Sequence, residues 1–239
     1  MAWRGAAYNG WQRQPNGTSI QEVVECSIGK VCGVDHVRVT AAGRTDSGVN
    51  ALAQVVSFRT ENRSAHEILS GLNFWLPVDI SCLDVKPCQA DFHPIQDALQ
   101  KLYRYRILNR RAPCPFRHEL VWHRREALNV EAMQEGAKYL VGENDFSAFR
   151  HSGCVAKIPV RTIHSMEITT SNDEIVIEVL GNGFLRHQMR IMAGTLLDVG
   201  RGQLSPMDVR RILESRNRSE AGPTAPGHGL TLVRVDMKS

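Results

Sequence analysis

Two rhythms of hydrophobic and polar positions run along this chain. Ile20, Val23, Val24, Ser27 and Ile28 recur at helical spacing. Ser19-x-x-Glu22 ahead of them has the form of a capping box, in which hydroxyl and carboxylate reciprocally satisfy the free amides of a helix start. The same spelling, Ser64-x-x-Glu67, opens a helix predicted to reach Trp75, with Pro77 as its stop. Val37 with Val39, residues 54–58 and residues 80–85 read as strands, the second of them buried. Residues 102–108 alternate strictly, with Tyr103, Tyr105 and Ile107 on one face and Arg104 and Arg106 on the other. Helical spacing returns over 130–140, strands are predicted at 161–168 and 175–180 around a turn at Asn172-Asp173, and a longer helix over 184–199 lies between Gly183 and Gly200. Ser205-Pro206 starts another helix by cap and proline, and residues 229–235 close the chain as a strand.

Hairpin-linked strands interrupted by occasional long helices predict an α+β fold, a mostly antiparallel mixed sheet with helices packed on one face. A boundary near residues 95–100 divides the chain into 1–98 and 99–239. The apolar share of 42% and charged share of 23% over 239 residues are those of a globular protein. The longest nearly apolar stretch, 191–197, is far short of the ~20 residues of a spanning helix, and no secretory leader is evident, so a cytoplasmic protein is expected. The six cysteines form no C-x-x-C pair, and Cys114, His118 and His123 fit no common zinc spacing.

The formal net charge is only +4, but residues 101–125 hold eight Lys/Arg against Glu119 alone, a local balance of +7. Phosphate is the natural counterpart to such a stretch, and the interleaved Tyr103, Tyr105, Phe116 and Trp122 suit unstacked bases; a solvated basic face is the alternative.

Ala42-Gly43-Arg44-Thr45-Asp46-Ser47-Gly48-Val49 is the densest group of site-like residues. Glycines at both ends let the backbone approach a ligand, and Arg44 would hold the Asp46 carboxylate ionised and aimed. In the 184–199 helix, Leu185, Met189, Met192, Leu196 and Val199 form an apolar stripe, and Arg190 lies about 140° from it at 3.6 residues per turn. An arginine on so apolar a helix calls for an anionic partner, with Asp46 as the candidate; a snorkelling side chain is the alternative. Phosphate loops, dinucleotide fingerprints and zinc-protease motifs are absent, and no cofactor is expected.

At these residues the sequence resembles the bacterial tRNA pseudouridine synthases called TruA. The likeness runs through residues 9–16, 42–50, 54–58, 72–80, 92–93, 101–107, 145–150, 181–200 and 224–235. It implies the pseudouridine synthase fold, two similar halves around a basic cleft, and a cofactor-free isomerisation of uridine to pseudouridine at positions 38–40 of the tRNA anticodon stem-loop. It implies Asp46 as the catalytic aspartate, Arg44 and Arg190 as its support, and Tyr103 as the residue packed against the target base. Asp46 would attack C1′, attack C6 or remove the C2′ proton, and Arg201, Arg210 and Arg211 would grip phosphates with the 101–125 stretch. A homodimer is implied as well.

Departures from the family pattern are also legible. Residues 1–5 enter the first motif midway, which would leave a misassigned start or an exposed sheet edge. Ile95 stands where relatives often carry arginine, and Arg186 and Gln188 lie in a variable stretch and receive no role. A tRNA-binding or folding protein without turnover is the second reading, and a glycosidic-bond hydrolase the third, disfavoured by the single acid in the candidate site.

Overall fold

Identical spellings at two helix starts fold differently. At Ser64 the box closes: the Glu67 amide donates to the serine hydroxyl at 3.2 Å, and the serine amide donates back to the Glu67 carboxylate at 2.8 Å. At Ser19 only half forms, with the Glu22 amide on the hydroxyl at 3.2 Å, because Arg13 takes the Glu22 carboxylate at 3.3 Å. A third box, Ser205 with Asp208, follows the same logic with aspartate in place of glutamate.

The computed structural model describes residues 1–35, 37–61 and 63–238. They form two units: residues 1–99 with the returning end of the chain from 232, and residues 100–231. The class is α+β, as the element pattern predicts. The final strand groups with the first unit only from Leu232 onward, whereas the sequence boundary places all of it in the second half.

The first unit runs β1 (Ala2–Trp3), α1 (Ile20–Cys32), β2 (Thr40–Ala41), β3 (Asn50–Ala51), β4 (Val56–Ser57), α2 (Ala65–Trp75) and β5 (Ile80–Ser81). β1 pairs antiparallel with β3 on one side and β5 on the other, so the first strand is flanked rather than left as an exposed edge. Trp3 is buried there, stacked on Trp11 with ring centroids 5.6 Å apart. β2 and β4 make a separate two-stranded pair. α1 and α2 pack closely because Gly71 faces Val31: a Cβ on Gly71 would lie 2.8 Å from a Val31 methyl. The strands predicted over 54–58 and 80–85 shrink to two residues each, and Val37 and Val39 are buried without joining a strand. Burial alone does not require a ladder partner.

The second unit is built on β6 (Ala98–Asn109), which crosses the boundary at its first two residues, followed by β7 (Trp122–Arg124), α3 (Val130–Lys138), β8 (Gly142–Asp145), β9 (Val160–Ser171), β10 (Glu174–Gly181), α4 (Gln188–Gly200) and α5 (Pro206–Ser215). β10 pairs antiparallel with β6 and β9, β8 antiparallel with β9, and β7 parallel with β6. Asn172 takes up φ 52° in the β9–β10 turn, a conformation asparagine tolerates better than most residues. α3 packs on β9, and α4 and α5 pack on α3. β11 (Leu230–Met237) ends the chain; its Leu232 carbonyl accepts from the Leu52 amide at 2.8 Å inside the first unit.

α4 departs from its expected span. Residues 184–187 are not helical, and His187 precedes the helix at φ 63°, a left-handed turn that reorients the chain into it. The predicted stripe of Leu185, Met189, Met192, Leu196 and Val199 is buried, but so are the other faces of the helix. Every α4 residue is buried except Arg190 and Asp198, which are half-buried. Neighbours surround this helix on almost every side.

Candidate active site

The loop after β2 is held by hydrogen bonds from both backbone and side chains. The Ala42 amide donates to Val55 O at 2.9 Å, and the buried Gln54 side chain donates to Gly43 O at 2.9 Å. Asp46 then opens a turn closed by the Val49 amide on Asp46 O at 3.1 Å, with Gly48 at φ 77° supplying its left-handed position. The segment between β1 and α1 clamps this turn. Trp11 N–H donates to Thr45 O at 3.0 Å, Gly48 N–H to Tyr8 O at 3.3 Å, and the Ser47 hydroxyl to the same Tyr8 carbonyl at 3.2 Å. Tyr8 is itself held by its hydroxyl on Asp79 Oδ1 at 2.7 Å. Burial, with the Asp79 carboxylate beside it, pushes the Tyr8 phenol above its ordinary range, so it remains a donor.

On that frame Asp46 is half-buried and Arg44 exposed. Arg44 makes no ion pair or hydrogen bond with a described residue, so it does not aim the carboxylate as its spacing predicts. Thr45 between them is buried, and its hydroxyl finds no partner among the described residues.

The second unit carries the other two predicted site residues. Tyr103 lies opposite Val179 in the β6–β10 ladder, buried, with its ring edge-on to Phe184 at 5.0 Å. Lys101 lies two residues earlier on the same strand. Burial first, then the Arg161 charge, hold its ammonium below the usual lysine range. The period-two alternation that picks out Tyr103, Tyr105 and Ile107 extends back to Lys101, and a lysine on that apolar face was the available signal. Arg190 on α4 donates Nε–H to Ala225 O at 2.7 Å, and the Ala225 amide donates to Arg190 O at 3.0 Å. No periodicity could name Ala225, which lies in an irregular loop.

The basic stretch is less free than its composition implies. Arg104 pairs with Glu178, Arg106 and Arg117 both with Glu174, Arg110 with Asp173, and Arg124 with Glu126. Most of these acids come from β10 and the turn before it, brought alongside by the antiparallel register. Arg201, Arg210 and Arg211 are likewise paired with carboxylates. The aromatics also differ from expectation. Tyr105 is fully buried with its hydroxyl on Pro226 O at 2.8 Å, Trp122 meets it edge-on, and Phe116 alone of the four is exposed.

A family model described as tRNA pseudouridine synthase matches residues 2–95 and 137–237. The chain belongs to the tRNA pseudouridine synthase family. Family enzymes named tRNA pseudouridine synthase A align nearly end to end. The one from Pelobacter propionicus is 45% identical over 236 residues, covering 98% of this chain and 96% of its own. That of Geotalea daltonii is 44% identical over the same span, with the same coverage. The Rhodospirillum centenum relative is 44% identical over 232 residues, covering 96% and 94%. The synthase family's activity is an isomerisation. Its model match takes in the Asp46 loop, α4 and the loop that holds Ala225, while Tyr103 falls in the unmatched interval between the two segments.

Among the described residues no helix is long and apolar enough to cross a membrane, and no three His, Cys, Asp or Glu side chains gather as a metal site would require.

Proposed function

We propose that this family member isomerises uridine to pseudouridine at positions 38–40 of the tRNA anticodon stem-loop, with Asp46 as the catalytic carboxylate. The observation that carries the reading is Asp46 itself: a half-buried carboxylate on a hydrogen-bonded turn, in a chain 45% identical to a tRNA pseudouridine synthase A. A carboxylate so mounted is accessible to a ribose and held without a flexible stem. The target nucleotide leaves the stack, since its glycosidic bond is out of reach within a paired stem. The C1′–N1 bond then breaks and a C1′–C5 bond forms; C5 loses a proton and N1 gains one, so no external reactant enters.

In this reading Tyr103 packs against the extruded base, and Arg190 supports the ionised aspartate. Arg44 adds a cation that suits a nearby phosphate, its exposure favouring the RNA over the carboxylate. The protein acts as a cytoplasmic homodimer, by resemblance to the family.

The decisive experiment is Asp46→Asn in single turnover on an anticodon-arm transcript. Loss of about three orders of magnitude or more in rate is expected for a group that meets the reacting sugar. Retained pseudouridine formation overturns the assignment. Tight, salt-sensitive tRNA binding by the native protein with no isomer at all supports a binding protein instead.

A further inference from the structure

Arg190 is held by a stretch of chain far from it in sequence. Residues 222–229 run antiparallel along α4, backbone against helix, and touch it at three successive places. Gly222 N–H donates to the Thr195 hydroxyl at 2.9 Å, and that buried hydroxyl donates onward to Ile191 O at 2.9 Å. Gly194 faces Pro223 so tightly that a Cβ on it would lie 1.8 Å from the Pro223 carbonyl oxygen. Ala225, fully buried, exchanges two hydrogen bonds with Arg190, accepting from its side-chain Nε–H and donating to its carbonyl. Beyond it, Pro226 O receives the Tyr105 hydroxyl, and Gly229 passes over the Tyr105 ring where a Cβ would come within 2.8 Å.

An arginine side chain has four rotatable bonds, and because Nε–H lies in the planar guanidinium, a hydrogen bond at Nε restrains the orientation of that whole plane. With Nε donated to Ala225, chemistry with an anion is left to the two terminal nitrogens, in a plane that the segment sets.

We propose that residues 222–229 are the positioning element for Arg190. Thr195 anchors the segment, Gly194 admits it to the helix surface, and the Ala225 carbonyl orients the guanidinium. Thr195 and Gly194 are therefore positioning residues that act through Arg190. This rests on the reading that Arg190 supports the reacting aspartate.

Thr195→Val removes the hydroxyl at nearly constant volume, while Thr195→Ser keeps it. In single- and multiple-turnover assays with anticodon-arm tRNA, Thr195→Val is expected to lower kcat about ten- to a hundredfold with KM for tRNA changed by less than about twofold, as misorientation without lost binding requires. Thr195→Ser is expected to restore the rate, and Thr195→Val combined with Arg190→Lys to be no slower than Arg190→Lys alone. Unchanged kcat in Thr195→Val, or losses that multiply in the double variant, overturns the proposal. Should Thr195→Val fail to fold, Arg190 Nε–H exchange in the native protein decides. Protection beyond that of exposed arginines supports the proposal, and exchange equal to theirs overturns it. Activity surviving in Asp46→Asn would instead remove the site reading beneath it, a result independent of all these.

Discussion

Gly10 lies against the Asp46 peptide. At φ 86°, its missing side chain leaves room for the turn backbone: a Cβ there would sit 2.6 Å from Thr45 O and 2.9 Å from the Asp46 carbonyl carbon. The three nearest atoms, Thr45 O, the Asp46 carbonyl carbon and Ser47 N, are all backbone, which cannot yield as a flexible side chain would. Gly10→Ala is expected to combine a left-handed penalty of about 1–2 kcal/mol with displacement of the aspartate turn. Gly202, at φ 71° with nothing within 4 Å, isolates the first effect. Urea denaturation should show both alanine variants destabilised, and the isomerisation assay should show Gly10→Ala alone losing activity.

Ion pairing divides the arginines of the 101–125 stretch into two groups. Arg104 and Arg106 are occupied by Glu178 and Glu174, whereas Arg111 and Arg125 are exposed and form no ion pair with a described residue. A phosphate that recruits a paired arginine must displace its carboxylate. Replacing Arg111 or Arg125 by alanine should therefore lower the slope of log K against log salt for tRNA by about one each, with Arg104→Ala and Arg106→Ala changing it little. Titrations of labelled tRNA at several salt concentrations check this.

His228, within the segment beside α4, is expected to make stability fall in mild acid. Burial holds its imidazole below the ordinary range; a backbone contact with Val121 opposes this, the His118 and Arg190 charges reinforce it, and Glu119 opposes it. Below about pH 6.5 the unfolded chain takes up a proton that the folded chain resists, so stability declines as pH drops through that value and is unaffected above it. His228→Gln cannot take up that proton. Urea midpoints at pH 7.5 and 5.5 should fall more for the native protein than for this variant, and equal falls would refute the assignment.

Local signals carried much of the fold. The complete box at Ser64, the proline-led start at Ser205 and the alternation through Tyr103, Tyr105 and Ile107 all depend on residues a few positions apart, and each forms. The structure departs from these signals where another segment intervenes or the backbone turns left-handed. Arg13 removes Glu22 from the Ser19 box, and His187 turns the chain just before α4. The apolar pattern at residues 54–58 reflects partial burial more than strand pairing. The candidate site shows the same division. Asp46 stands out in sequence because glycines, a cation and a hydroxyl surround it locally. Ala225 and Tyr8 do not, because they act through backbone carbonyls that any residue possesses.

By itself, the sequence determined the α+β class, the main helix starts and the family, since these follow from short-range periodicity, capping chemistry and ordered motifs. Tertiary structure alone decided that the arginines of β6 meet the acids of β10, that Arg44 faces outward, and that Arg190 is gripped by Ala225. Those outcomes depend on strand register and on backbone groups meeting across dozens of residues. Side-chain identity encodes neither until the chain has closed on itself.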